Sequence, residues 1–375
     1  MEGCTNHNPL RVLMTTDTVG GVWSYSVELC NALQPYNVHF YLVTTGALLS
    51  IAQKKELESL QNVTVYETDF LLEWMEAPWQ NIDESGAWLL QLEEKVKPHL
   101  IHLNAFAYGS LSWKAPVVMV AHSDVFSWWQ AVKGETPPSD WNEYFIRVRD
   151  GLQGADFLIA PSQAMMQDVQ KIYSATARGN VIYNGRSSDT FQSAPKEPFL
   201  LSMGRIWDEA KNISLLVEAA QNIPYQIKLA GDNSFAGDHC DTEGANITYL
   251  GKLSTSEVAA QLAAASVYVL PAKYEPFGLS ILEAALSGCA LVLGNIDSLK
   301  EIWQDSALYI DTDDVVALAQ KVNHLMNNEA VRLQYAQKAM ERAKKYSTKA
   351  MTQNYLQVYQ QMLQHKKQAA QPEIM

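Results

Sequence analysis

Short apolar runs alternate with amphipathic stretches twice along this chain, and that alternation most narrows what it can fold into. Leu10 to Thr16 reads as a strand, Val22 to Gln34 as a helix and Val38 to Val43 as the next strand, a βαβ opening. Leu100 to Leu103, Val117 to Ala121 and Asp156 to Ala160 continue the set. All are expected as parallel strands of one sheet. From Ser187 to Pro198 the chain turns polar and proline-bearing, and a fresh strand starts at Phe199. The junction between domains is expected there. Ile227 to Ala230, Ile247 to Leu250, Val267 to Leu270, Ala290 to Leu293 and Ala307 to Ile310 supply a second sheet. The fold class is therefore α/β, with two Rossmann-like domains over residues 1–186 and 199–346. After Ser347 and Thr348, Met351, Tyr355, Val358, Tyr359 and Met362 recur at helical spacing and predict a final helix with a buried face.

A chain of 375 residues that is 47% hydrophobic can fill two cores. No run of eighteen apolar residues occurs, and the start, Met1 to Asn6, lacks a basic patch followed by an apolar segment. A cytoplasmic location is expected, with any membrane contact peripheral. A net charge of −13 argues against nucleic acid as a partner. Cys4, Cys30, Cys240 and Cys289 show neither metal-binding nor redox spacing, so no disulfide or zinc site is expected.

In open α/β sheets ligands bind beyond the carboxyl ends of the strands, and the candidate residues gather there. Glu275 and Glu283 flank the start of a helix predicted over Leu279 to Ser287, which Gly288 closes. Free backbone N–H groups lie between them, where a phosphate is favoured. Carboxylates accept strong hydrogen bonds from hydroxyls, so the pair suits a ligand with hydroxyls at both ends and phosphates in the middle. A sugar nucleotide has that layout. Arg205 and Lys211, beyond the strand at Phe199, supply two cations for a diphosphate. Gly20 and Gly21 follow the first strand and let bare backbone approach a ligand, although the third glycine of a dinucleotide fingerprint is missing. His122 ends a central strand, with Ser123 and Asp124 next.

Together these residues resemble glycosyltransferase family 4. The match runs through Gly20-Gly21, His122, Val181 to Gly185, Gly204-Arg205 to Lys211-Asn212, Gly231-Asp232 and the Glu275/Glu283 pair. The resemblance implies a GT-B fold, in which the two domains face each other across a cleft and the final helix, residues 347–365, packs back on the first. It implies retaining transfer of a hexosyl group from a nucleoside diphosphate sugar to a hydroxyl acceptor, which is a sugar, a glycan, a lipid-linked sugar or a small molecule. UDP-hexose is the first expectation and GDP-mannose the second.

The same resemblance assigns roles. His122, Arg205, Lys211 and Glu275 form the catalytic set; Gly20, Gly21, Gly231, Lys252, Leu253, Phe277, Gly278, Leu279 and Glu283 join Arg205, Lys211 and Glu275 around the donor. Glu275 is expected on the sugar hydroxyls and Glu283 on the ribose. Asp124 either orients His122 or binds acceptor hydroxyls, and Trp128 and Trp129 are expected to shape the acceptor site, since indoles stack on sugar rings. Asp311 to Asp314 resembles a metal-binding acid motif of another glycosyltransferase fold, yet its place before Val315 fits a helix cap, so no essential metal or cofactor is expected. Arg186 departs from the family pattern, which often has a hydrophobic residue after Asn-Gly. Two alternatives stay open: a GT-B sugar-nucleotide epimerase and a non-catalytic sugar-nucleotide-binding protein.

Overall fold

The computed structural model describes residues 8–235 and 238–369, and Cys4 and the chain's start lie outside them. The first sheet comprises β1 (Leu10–Asp17), β2 (Val38–Thr45), β3 (Val63–Tyr66), β4 (Leu100–Leu103), β5 (Val117–Val120), β6 (Phe157–Ala160) and β7 (Gly179–Val181). All pair in parallel in the order β3-β2-β1-β4-β5-β6-β7. The edge strands β3 and β7 are the ones a search for apolar runs passes over. An edge strand is short and half-solvated, so its sequence carries little pattern.

The second sheet comprises β8 (Glu197–Met203), β9 (Gln226–Ala230), then, after the separate antiparallel pair of two-residue strands β10 (Ser234–Phe235) and β11 (Asp238–His239), β12 (Ile247–Gly251), β13 (Ala265–Leu270), β14 (Ala290–Gly294) and β15 (Leu308–Ile310). Its order is β12-β9-β8-β13-β14-β15, again parallel. Every residue of β13 and β14 is buried, as strands covered by helices on both faces require. Two parallel sheets clothed in helices make this an α/β protein with the GT-B architecture.

Alternation along β1 divides the first lobe's core in two. Leu13 packs with Ile101 and Leu103 on one face, and Val12 and Met14 pack with Leu100 and Val118 on the other. That second face is covered by the last helix, Thr348–Ala369, whose Met351, Tyr355, Val358, Tyr359 and Met362 are buried there. Each such side chain removed from water contributes roughly 1.5–3 kcal/mol, so the helix is an integral part of the first lobe. Buried phenols pin it: Tyr359 Oη lies 2.6 Å from His102 Nδ1, and Tyr25 Oη donates to Tyr355 Oη at 2.6 Å.

The chain passes between the lobes at one place. Arg186 N–H donates to the Tyr346 carbonyl at 3.1 Å, and Arg186 forms a parallel bridge with Ser347. Gly185 is packed so closely that a Cβ there would sit 2.5 Å from the Ser347 carbonyl oxygen, which only glycine avoids. Among the described residues, no helix is long and apolar enough to cross a membrane.

Candidate functional site

In each sheet the strand order reverses once, between β1 and β4 and between β8 and β13. A crevice opens at such a switch point, because the connections on either side depart to opposite faces. In the second lobe the loops leaving β8 and β13 carry Gly204 to Asn212 and Pro271 to Gly278. The Asn212 amide ties them, donating to the Pro271 carbonyl at 3.0 Å and the Thr312 carbonyl at 2.6 Å. Lys211 Nζ then meets Glu275 Oε2 at 2.5 Å, with 14% of each side chain exposed. The other Glu275 oxygen accepts the Phe277 N–H at 3.4 Å, and Gly278 opens the helix Leu279–Leu286. Lys211, Glu275 and the segment Phe277 to Leu279 are thus brought together.

Arg205 pairs with Asp208 at 2.8 Å and lies 5.6 Å over the Trp207 ring. It also reaches the first lobe: a Cβ on Gly20 would meet Arg205 Nη1 at 3.8 Å, and one on Gly21 would meet Leu279 Cδ1 at 4.0 Å. The Gly20-Gly21 turn therefore faces the second lobe's loops directly. Burial alone would raise the Asp208 carboxyl, but Arg205, Lys211 and the Trp128 indole N–H outweigh it and hold it below the usual range. Gly231 packs on Gly204, Lys252 pairs with Asp232 at 2.7 Å in an exposed position, and Leu253 leans on the second core. Glu283 is buried and held by Arg186 at 2.6 Å; burial pushes its carboxyl up, and Arg186 pulls against that rise.

The first lobe's switch point holds a cavity of about 60 Å³ lined by Asp17, Glu73, Trp74, Asn104, His122 and Ser123 among others. That is room for several waters, since one needs roughly 10–15 Å³. Asn104 Nδ2 donates to the Thr15 carbonyl at 2.7 Å, which turns its Oδ1 toward His122 Nε2, 2.8 Å away. Only a proton on Nε2 satisfies that contact, so His122 Nδ1 is the acceptor nitrogen of a neutral imidazole. Burial agrees, pushing the His122 pKa down to about 3. Glu73 accepts the Phe106 and Ala107 N–H groups at 2.8 Å each, and burial raises its carboxyl to about 7. Asp17 accepts the Val19 N–H at 2.6 Å through Oδ1; burial raises it to about 6, opposed by that bond and by Arg205.

The three residues expected at the acceptor have other partners. The Asp124 carboxylate caps the helix Val125–Lys133, accepting the Ser127 N–H at 3.0 Å and the Tyr173 hydroxyl at 2.7 Å. An aspartate before a helix satisfies its orphan N–H groups, and that local demand prevails here. His122 is oriented by Asn104 instead. The Trp128 indole N–H crosses to Asp208 Oδ1 at 3.0 Å, joining the lobes, and Trp129 packs edge-on against Trp128. Neither tryptophan lines the cavity. At the acid cluster, Asp314 caps the helix Val315–Asn327 through the Ala317 N–H at 2.8 Å, and Asp313 pairs with Lys273.

Sequence reading passed over Asp17, Asn104 and Glu73. Asp17 ends β1 and Asn104 follows β4, just as His122 lies beyond the carboxyl end of the neighbouring β5, so the rule that singled out His122 applies to them equally. Glu73 lies in a loop without any periodic or motif signal.

The family described as Glycosyltransferase Family 4 matches residues 19–189, and that described as Glycosyl transferases group 1 matches residues 186–347. The O-antigen chain mannosyltransferase B of Escherichia coli is 26% identical over 251 residues, 60% of this chain and 66%, just under two thirds, of that relative. Sucrose-phosphate synthase from Thermosynechococcus elongatus superposes with a TM-score of 0.82 at 19% identity, covering 95% of this chain and 99% of the other. Anabaena HepE in complex with UDP-glucose superposes at 0.72 and 18% identity, covering 94% and 99%.

Proposed function

This chain belongs to glycosyltransferase family 4, and on that premise we propose that it transfers a hexosyl group from a nucleoside diphosphate sugar to a hydroxyl acceptor with retention of configuration. The observation that carries the reading is the meeting of two switch-point clusters, with Lys211 on Glu275 in one lobe and Arg205 beside Gly20 of the other. Arg205, Lys211 and the N–H groups at Phe277 to Leu279 stabilise charge growing on the departing diphosphate. The protein's own cations carry that load, so turnover is expected to persist in a chelator. Glu275 holds sugar hydroxyls and Glu283 the ribose, with Gly231, Lys252 and Leu253 bounding the base.

The acceptor hydroxyl enters the first-lobe cavity, where neutral His122 offers Nδ1 as a hydrogen-bond acceptor and Asp17 has one oxygen unoccupied by Val19. The cavity lining includes Asp17 and Glu73 and neither lysine nor arginine. A neutral polyol suits it; a phosphate seated there would meet acids of like charge. UDP-hexose is favoured as donor by the likeness to HepE, crystallised with UDP-glucose, and GDP-mannose follows from the mannosyltransferase relative. A cytoplasmic setting goes with this reading, since Cys30, Cys240 and Cys289 are free thiols.

The test is a thermal-shift screen over UDP-, GDP- and ADP-sugars, followed by turnover of the stabilising donor against a panel of neutral sugars and their phosphates. A donor that binds the folded state raises its melting temperature. Product with a neutral acceptor supports the reading, whereas a donor sugar altered without any acceptor reassigns the chain to epimerisation. No stabilisation by any of the three classes sinks it.

A further inference from the structure

Arg186 stands where the two lobes join, and its guanidinium touches both. Nε lies 2.7 Å and Nη2 2.6 Å from the same oxygen of Glu283, Oε1, on the second lobe's helix Leu279–Leu286. Nη1 lies 3.3 Å from Oε2 of Glu28, on the first lobe's helix Gly21–Leu33. The other Glu28 oxygen accepts the hydroxyl of Thr348, the first residue of the final helix. Only 12% of the Arg186 side chain, 14% of Glu28 and 9% of Glu283 is exposed. The guanidinium also lies 5.8 Å over the Phe191 ring, and its backbone N–H is fixed on Tyr346.

Two carboxylates with one cation between them are costly to bury, and removing the cation would leave both uncompensated. A planar fork with five donors meets such a demand in a way a lysine ammonium does not. The fork uses only one oxygen of Glu283. Among the described residues no hydrogen bond to Oε2 is seen, so that atom keeps its lone pairs for a ligand hydroxyl.

We infer that Arg186 is a positioning residue for the donor: it fixes the Glu283 carboxylate by one oxygen, aims the second oxygen at the ribose, and ties that contact to the first lobe through Glu28 and Thr348. The inference rests on the donor reading above. A nucleotide that pulls on Glu283 thereby pulls on the helix that begins at Gly20-Gly21, the turn that faces Arg205. Binding at the ribose end and the approach of the lobes at the reacting end become one event.

The ribose is remote from the bond that breaks, so loss of this contact removes binding common to ground and transition states. R186M is expected to raise the donor KM about tenfold or more, the loss of one charge-assisted hydrogen bond, with kcat at saturating donor within about threefold. R186K, which keeps the charge and loses the fork, is expected to fall between R186M and the parent. Should R186M fail to fold, E28Q removes only the first-lobe end of the bridge and is expected to raise the donor KM about threefold on the same grounds. Calorimetry with UDP, GDP and ADP on the full chain supplies the reference. Absence of nucleotide binding by the unaltered protein overturns the donor reading and this inference with it. Binding by the unaltered protein beside an unchanged donor KM in the folded variants, or a fall confined to kcat, overturns this inference alone.

Discussion

Lys211 is the side chain most exposed to a direct test. Its ammonium meets Glu275 at the mouth of the donor helix, where the diphosphate is proposed to depart. Lys211→Ala is expected to lower kcat about 100-fold, as loss of a charge-stabilising donor does, and to reduce stability by about 1.5–3 kcal/mol through loss of its bond to Glu275. Steady-state kinetics beside urea denaturation separates the two effects, and full activity would end the assignment. Asn104 acts through His122 by fixing its tautomer. Asn104→Leu is expected to cut kcat about tenfold while leaving the donor KM unchanged, because it frees the proton to occupy either ring nitrogen. Motif spacing made the Glu275, Lys211 and His122 positions legible from the chain alone. Asp17, Asn104 and Glu73 were not, because their meeting depends on strand order. Asp124 was expected to orient His122 or bind acceptor hydroxyls; an acid at a strand's end also stands at a helix's beginning, and there it caps Val125–Lys133 while Asn104 orients His122.

Strands announced themselves where burial on both faces left nothing but apolar residues, as in β13 and β14. The edge strands β3 and β7 fell below that signal. The final helix was legible from five apolar positions, but its polar anchor was not: His102, fully buried in β4, contacts Tyr359 and Tyr25 at 2.6 and 3.2 Å. Burial, and secondarily His122, pushes His102 down to about 3 from an ordinary 6.5. The unfolded chain therefore binds a proton that the folded chain refuses. The stability contribution is fully present above about pH 6.5 and is lost progressively as pH falls toward 3. Between pH 6.5 and 5 the loss is on the order of 1 kcal/mol per pH unit. Glu73 and Asp17, both raised, act in the opposite sense, so the test is a difference. His102→Gln should make urea-derived stability depend less steeply on pH over that window than in the parent, and equal slopes would remove His102 as the cause.

Across the whole molecule the lobes are latched at several points around the cleft. Glu301 accepts the Gln163 and Ala164 N–H groups at 2.8 and 2.9 Å, so a second-lobe acid caps the first-lobe helix Gln163–Tyr173. Trp128 reaches Asp208, Thr255 reaches Glu56 at 2.8 Å, and Lys133 pairs with Glu209 at 2.6 Å. Hydrogen bonds to carboxylates of this kind contribute roughly 1.5–3 kcal/mol each where they are shielded from water, and the exposed ion pair about 0–1. Glu301→Ala is expected to weaken the closed arrangement by about 2–5 kcal/mol, since three charge-assisted bonds are lost, those from Gln163 N–H, Ala164 N–H and the Tyr183 hydroxyl. Small-angle scattering should then give a larger radius of gyration for the variant than for the parent, both without ligand. An equal radius would mean that Glu301 has no part in closure. Gly185 against Ser347 sets how that opening proceeds. Because the outgoing and returning segments touch there, the halves share a single spine, and the cleft is expected to open like a book, with the covers held together by the second thread in the binding if the first is cut.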